Sequence, residues 1–133
     1  MTCIFCRIVA KEIPNYTVYE DSHALAFLDI QPLAQGHTVI IPKVHAGTLL
    51  DLPDSEAAAW SLAVKRALER VDQIIHPDGF NVGLNHGEAA GQAVAHLHMH
   101  IIPRFRADGG GSMHSIIEAP SHLPVEEVAK LFA

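Results

Sequence analysis

Three histidines alternate with apolar residues in one short run of the chain. They are His96, His98 and His100, separated by Leu97 and Met99. Successive side chains of a β-strand point to opposite faces, so a strand would place the imidazoles on one face, roughly 6–7 Å apart from one to the next. A helix would spread them around its axis. The spacing therefore predicts a strand that carries a row of imidazoles on an apolar support.

This row of imidazoles permits two kinds of chemistry. A neutral imidazole is a nucleophile near neutral pH because its unperturbed pKa is about 6.5, and its neighbours could orient it and bond a phosphoryl oxygen. Alternatively, histidines two apart on a strand can chelate zinc, which would make the row the ligand set of a catalytic metal. A solvated strand rich in histidine is a third interpretation, against which the unbroken apolar face argues.

The run and its surroundings resemble the signature of the histidine-triad (HIT) nucleotide-binding family. The matching segments are residues 96–102, 91–92, 103–104, 27–30 and 36–43, and the resemblance extends from Cys3 to about Arg104. It implies the HIT fold, a homodimer in which two subunits join their sheets, and attack on the α-phosphorus of purine nucleotides.

The resemblance implies catalytic roles for four histidines. His98 is expected to attack the α-phosphorus and to form a nucleotidyl-histidine, which water then releases. His100 is expected to bond the phosphate or the leaving group. His96 and His37 are expected to support the geometry of the rings.

The resemblance also implies a nucleotide slot, with substrate contacts from Phe5, Phe27, Asp29, Ile30, Asn85, Gly91, Gln92 and Ala93. The apolar members are expected to hold the base. The carboxylate of Asp29 can accept two hydrogen bonds from a ribose diol, and backbone N–H groups near Gly91 can bond phosphate. Ala93 stands where the family usually has Ser or Thr. Losing one hydrogen bond typically costs about 0.5–1.5 kcal/mol, so slow turnover is expected.

The only cysteines, Cys3 and Cys6, form a Cys-x-x-Cys pair. A thioredoxin-type motif would follow a strand, and a disulfide is not expected without an export signal. The pair fits half of a zinc site or two idle thiols. The resemblance to bacterial HIT proteins implies His45 and His96 as the remaining ligands of a structural zinc. His96 is then a metal ligand, and its catalytic role is indirect.

The composition predicts one ordinary globular domain. The chain has 133 residues, of which 49% are hydrophobic and 18% charged, and its net charge is -6. These values argue against disorder and against wide binding of nucleic-acid backbone. Lys11 and Glu12 interrupt the apolar N-terminus, so no signal peptide is expected. No apolar run is long enough to span a membrane. We therefore expect a cytoplasmic location. We expect a single HIT domain over residues 1–133, with a family-like core (1–104) and a C-terminal segment (105–133).

Periodicity predicts the elements that position these residues. Strands are predicted at residues 17–20, 24–29, 37–41 and 80–85, besides the histidine strand. A long amphipathic helix is predicted with Asp54 or Ser55 as N-cap and an end near residues 76–79, and a short helix from Pro124 to Phe132. The strand at 80–85, a turn and the histidine strand follow one another, and this order predicts an antiparallel hairpin that sets Asn85 opposite Gln92. The predicted class is α+β with a mainly antiparallel sheet.

The function that these features favour is hydrolysis of nucleoside 5′-phosphoramidates to AMP or GMP. A dinucleoside polyphosphate hydrolase and a non-catalytic nucleotide-binding protein are the alternatives. A metalloenzyme that uses the three histidines as ligands would leave the Gly91-Gln92 pair without a role.

Overall fold

A five-stranded sheet runs through the computed structural model, which describes residues 3–133. Its strands are β1 (Thr17–Glu20), β2 (Ala24–Leu28), β3 (Thr38–Pro42), β4 (Gly79–Gly83) and β5 (Met99–Arg104). Their order in the sheet is β1-β2-β3-β5-β4, and each neighbouring pair is antiparallel. The helices are α1 (Ile4–Val9), α2 (Asp54–Ile75) and α3 (Val125–Ala129), the last followed by a 3-10 turn over Lys130–Phe132. The predicted α+β class is confirmed.

Helix α2 covers one face of the sheet through a stripe of side chains three and four residues apart. Trp60, Ala63, Ala67 and Val71 are buried on this stripe. The core that they join contains Ala24, Ala26, Ile40, Leu97 and Ile101. Alanines on both surfaces let the helix approach the sheet closely, and such cores hold native packing density only when the side-chain volumes match.

The start of α2 differs from the prediction. The helix begins at Asp54 with Pro53 as its N-cap, so the predicted N-cap role of Asp54 or Ser55 is wrong. The Pro53 carbonyl accepts the Ala57 N–H at 2.8 Å, which places Asp54 and Glu56 in the first turn. There their charges favour the positive end of the helix dipole. The helix ends at Ile75, and His76 takes a left-handed conformation with φ 54.

The opposite face of the sheet carries helix α1, which the sequence analysis did not predict. Ile8 packs there on Leu25, Phe27, Val39 and Ile41. The Sγ of Cys3 caps the helix by accepting the N–H of Cys6 at 3.4 Å. The first cysteine of the pair is therefore also a helix cap.

The regular strand of the histidine run is shorter than predicted, because β5 begins at Met99. Before it, the Leu97 N–H bonds the carbonyl of Ala46 at 2.7 Å, outside the sheet ladder. The alternation still holds, since Leu97 and Met99 belong to the core under α2. Strand β4 ends at Gly83, so Asn85 lies in the following loop rather than in a strand. Of the helices formed by residues 3–133, none has the length and apolar character needed to cross a bilayer.

We expect Ala67→Leu to destabilise the fold by about 1–3 kcal/mol, because extra methylene groups must be forced between α2 and the sheet. Ala67 is 0% exposed. Ala58→Leu, at an exposed position of the same helix, is the matched control and should change stability little. Urea unfolding of both variants measures the difference, and equal midpoints would contradict the packing described here.

Candidate active site

The ring of His98 is fixed by one hydrogen bond to the main chain. Its Nδ1 lies 2.8 Å from the carbonyl oxygen of His96, and the side chain is buried at 7% exposure. A carbonyl only accepts hydrogen bonds, so Nδ1 must carry the proton. In the neutral ring, Nε2 then holds the lone pair, and His98 is in the tautomer of a nucleophile.

His100 has the opposite tautomer, set by a relay through His37. The Leu33 N–H donates to Nδ1 of His37 at 3.1 Å. The proton of neutral His37 is therefore on Nε2, which lies 2.9 Å from Nδ1 of His100 and donates to it. His100 in turn keeps its proton on Nε2. The rings of His98 and His100 have their centroids 5.4 Å apart. Nε2 of His98 thus offers a lone pair, and Nε2 of His100 offers an N–H donor.

Burial keeps the His37–His100 pair neutral. Desolvation lowers the pKa of His37 below 6.5, opposed by the charge of Asp29. The pKa of His100 is lowered by desolvation and then by the neighbouring imidazoles of His37 and His98, again opposed by Asp29. The Asp29 Oδ2 stands 3.6 Å from Nε2 of His37 and 4.0 Å from Nδ1 of His100. The same three residues lie close enough to hold a metal ion, but both ring nitrogens of His37 and Nδ1 of His100 already take part in the hydrogen-bonded relay.

An apolar slot of about 400 Å³ opens beside His98 and His100. Phe5 and Phe27 meet edge to face at 5.7 Å in its wall, and Phe5 lies 5.2 Å from the ring of His98. Of the predicted substrate contacts, those that line the slot are Phe5, Phe27, Asp29, Ile30, Asn85, Gly91 and Ala93. Asp29 uses Oδ1 to accept the Gln31 N–H at 2.8 Å, so Oδ2 is the oxygen that this bond leaves free.

Further lining residues were missed in the sequence analysis. They are Ile4, Ile8, Ile13, Pro14, Asn15, Tyr16, Leu28, Gln31, Val39 and Val94. Ile4 and Ile8 come from α1, and their four-residue spacing beside Phe5 was a usable sign of an amphipathic helix. The sequence analysis assigned no role to residues 13–16.

Gln92 is placed differently from the expectation. Its side chain holds the loop together: Oε1 accepts the Gly87 N–H at 2.8 Å, and Nε2 donates to the carbonyls of Gly47 at 2.7 Å and Val94 at 3.0 Å. The N–H groups of Gly91 and Gln92 are also bonded within the turn. The amides of Ala93 and Val94, by contrast, bond no partner within residues 3–133, so these two N–H groups remain available to a ligand.

Two cysteines and two histidines converge at the base of α1. The Nδ1 of His96 lies 3.4 Å from Sγ of Cys3, 3.6 Å from Sγ of Cys6 and 3.2 Å from Nδ1 of His45. The Cys6 Sγ to His45 Nδ1 distance is 3.2 Å. Around a tetrahedral Zn²⁺, such N–N and N–S separations are about 3.3–3.6 Å.

The orientation of His96 also fits a metal site. Its Nε2 lies 2.9 Å from the carbonyl of Pro42 and must donate to it, which turns the lone pair of Nδ1 toward the thiols. This is the arrangement by which proteins fix the tautomer of a metal-binding imidazole. Burial, with a smaller effect of Cys3, raises the pKa of Cys6 to about 11. A nearby cation would favour the thiolate form of Cys6.

An α+β domain that presents alternating histidines where they enter an antiparallel sheet is the architecture of the histidine-triad class. The model of the HIT domain matches residues 10–107, and the chain belongs to this family. The Protein hit of Bacillus subtilis is 46% identical over 112 residues, which cover 84% of this chain and 77% of that protein. The adenosine 5′-monophosphoramidase of Saccharomyces cerevisiae is 42% identical over 102 residues, covering 77% and 62% of the two chains.

Solved structures agree with the fold. A HIT family protein from Bacillus subtilis superposes with a TM-score of 0.86 at 39% identity, covering 99% of this chain and 93% of that one. A zinc-bound histidine triad family protein from Mycobacterium smegmatis gives 0.73 at 41% identity, covering 82% and 79%.

We expect the free energy of unfolding to decrease as the pH falls below about 6.5. His37 and His100 have pKa values below 6.5 in the folded chain and about 6.5 when unfolded. At a pH between the folded and the unfolded pKa, the unfolded chain binds more protons than the folded chain. The stability that these two histidines contribute is therefore fully present above pH 6.5 and is lost toward acid. The slope is at most about 1.4 kcal/mol per pH unit for each group.

The measurement is urea unfolding from pH 7.5 to 5.5. His37→Asn should flatten the pH dependence, whereas His114→Gln, at an exposed position, should leave it unchanged. Parallel pH profiles for His37→Asn and the unsubstituted protein would contradict the assignment of a neutral, buried pair.

Proposed function

We propose that this protein hydrolyses purine nucleoside 5′-phosphoramidates through a nucleotidyl-histidine on His98. The observation that carries the proposal is the pair of opposite tautomers: a lone pair on Nε2 of His98 beside an N–H on Nε2 of His100. A covalent intermediate divides one difficult displacement into two easier ones. The phosphoramidase activity named for the yeast relative supports this substrate class.

In the proposed reaction the base lies between Phe5, Phe27 and Ile30, and Oδ2 of Asp29 accepts a ribose hydroxyl. The backbone amides of Ala93 and Val94 donate to phosphate oxygens, since their N–H groups are not used by the loop. His98 attacks the α-phosphorus, and the N–H of His100 faces the leaving atom. His96 acts through its carbonyl, which orients the nucleophile, and His37 acts through His100.

We further propose that Cys3, Cys6, His45 and His96 hold a structural zinc. The zinc-bound relative from Mycobacterium smegmatis supports this, as do the convergent donor atoms. The four ligands would join α1 to the loops before α2 and β5. Because the same His96 supplies the carbonyl that orients His98, the metal site and the nucleophile would be one rigid unit.

The expected homodimer stays a prediction. The feature that supports it is β4, an edge strand of the sheet whose backbone could pair with a second copy.

We expect His98→Ala to abolish hydrolysis of an adenosine 5′-phosphoramidate while AMP binding remains measurable, since the slot that holds the base is unchanged. Release of AMP by chromatography and binding by calorimetry are the measurements. His76→Ala, which alters the residue after α2, is the control and should retain full activity.

The same assay discriminates among the alternatives. Cleavage of diadenosine polyphosphates but not of the phosphoramidate at equal concentration would replace the proposed substrate. A fully active His98→Ala variant would overturn the nucleophile, and AMP binding without cleavage of either compound would support a binding protein.

We expect one zinc per chain in protein purified without added metal. Elemental analysis of the unsubstituted protein, Cys6→Ser and His45→Ala should show that zinc is lost or sharply reduced in both variants. Thermal unfolding should show a lower melting temperature for both variants, because the closed site adds folding energy. His122→Ala should retain the metal. A metal-free protein whose melting temperature does not respond to a chelator or to added zinc would refute the site.

A further inference from the structure

A second cavity lies on the other side of His100 from the nucleotide slot. It measures about 320 Å³. His100 and Asn85 stand in the walls of both cavities, so the two cavities adjoin at the proposed position of the phosphorus. We call this second cavity the distal chamber, and its other lining residues are Leu33, His37, Asn81, Val82, Gly83, Leu84, Ile102, Met113 and Ile116.

The floor of the distal chamber is the part of the sheet opposite α2. In the β4–β5 register, Gly83 pairs with His100 and Asn81 with Ile102. The roof is the C-terminal segment, because a Cβ on Gly83 would stand only 2.8 Å from Cε of Met113. Gly83 therefore leaves the space that the Met113 side chain fills.

A clamp around Arg104 holds this roof over the sheet. Its guanidinium binds both carboxylate oxygens of Asp108, with Nε–Oδ2 2.8 Å and Nη2–Oδ1 2.7 Å. The same group donates to Oδ1 of Asn81 at 2.5 Å and to the carbonyl of Gly111. Residues 105–112 are thereby folded back, and Met113 follows directly after them.

The chemistry of the lining decides what the distal chamber can accept. None of its described lining residues is a lysine, arginine, aspartate or glutamate. The nearest guanidinium, that of Arg104, is already paired with Asp108. A nucleoside diphosphate leaving group carries several negative charges, and placing them here without a cation is unfavourable. An uncharged apolar group, by contrast, loses water-exposed surface against Ile102, Met113 and Ile116.

We propose that the distal chamber receives the leaving group, and that Met113 and Ile116 make this enzyme select phosphoramidates of apolar, aromatic amines. The inference rests on the proposed function and adds the class of leaving group to it. Both residues belong to the C-terminal segment, for which the sequence analysis had no role.

The step balances without any further reactant. Nε2 of His98 forms a bond to phosphorus while the P–N bond breaks, and the electron pair of that bond stays on the amine nitrogen. In the substrate complex the His37–His100 pair takes up one proton beside the phosphoryl anion and gives it to that nitrogen, and the neutral amine leaves into the distal chamber. Water then attacks the nucleotidyl-histidine, its proton returns to the pair, and the nucleoside monophosphate leaves His98.

The test uses three adenosine phosphoramidates: the unsubstituted compound, the N-benzyl compound and the N-(4-carboxybenzyl) compound, which is nearly the same size but anionic. We expect kcat/KM for N-benzyl to exceed that for N-(4-carboxybenzyl) at least tenfold. Met113→Ala and Ile116→Ala should each lower the ratio of N-benzyl to unsubstituted kcat/KM by about three- to tenfold. Ile116→Lys should raise the relative rate of the carboxylated compound.

Ile117→Ala is the matched control, since Ile117 is exposed like Ile116 but does not line the chamber; it should leave all three rates unchanged. Equal kcat/KM for the benzyl and carboxybenzyl compounds, or unchanged ratios in both Met113→Ala and Ile116→Ala, would overturn the distal chamber while leaving the proposed function intact. Failure to cleave any of the three compounds would overturn the proposed function, and this inference with it.

Discussion

The hydrogen bond from the His98 ring to the carbonyl of His96 is the constraint on which the rest of the site depends. It fixes which nitrogen of His98 holds the lone pair, and it requires a carbonyl that points to a side chain instead of to a neighbouring strand. The chain therefore cannot enter the sheet ladder until Met99. The departure from a regular strand and the tautomer of the proposed nucleophile have one cause.

The position of that carbonyl is in turn fixed from both sides of His96. Its ring is 0% exposed and donates to the carbonyl of Pro42 at the end of β3, and the next amide, that of Leu97, bonds Ala46. Both partners lie in the segment that also carries His45. A ring held this firmly loses little conformational entropy when its other nitrogen binds a metal. Hydrogen bonds that fix a ligand in this way raise the metal affinity of the site.

The sequence predicted what depends on alternation and on family motifs, and it failed where contacts between distant segments decide. Period two placed Leu97 and Met99 in the core and His98 and His100 on the other face, although the regular strand is shorter. Gln92 was expected at the substrate but turns to Gly47, a partner 45 residues away that no local pattern reveals. Helix α1 was missed because its one usable sign, the four-residue spacing of Ile4 and Ile8, is short, and only Ile8 of its six residues is buried.

The proposed function requires that neutral imidazoles of an acidic chain act on an anionic substrate. A lysine at the phosphate would attract substrate and product alike, and such uniform binding does not accelerate the chemical step. Buried imidazoles behave differently, because desolvation lowers the pKa of His100 while the charge of Asp29 opposes that shift, so the pair is neutral until a further anion is placed beside it. In the proposed complex, the phosphoryl anion would shift the pair toward the protonated state. The proton is thus bound most strongly when the substrate is present to receive it, which is the behaviour required of a general acid.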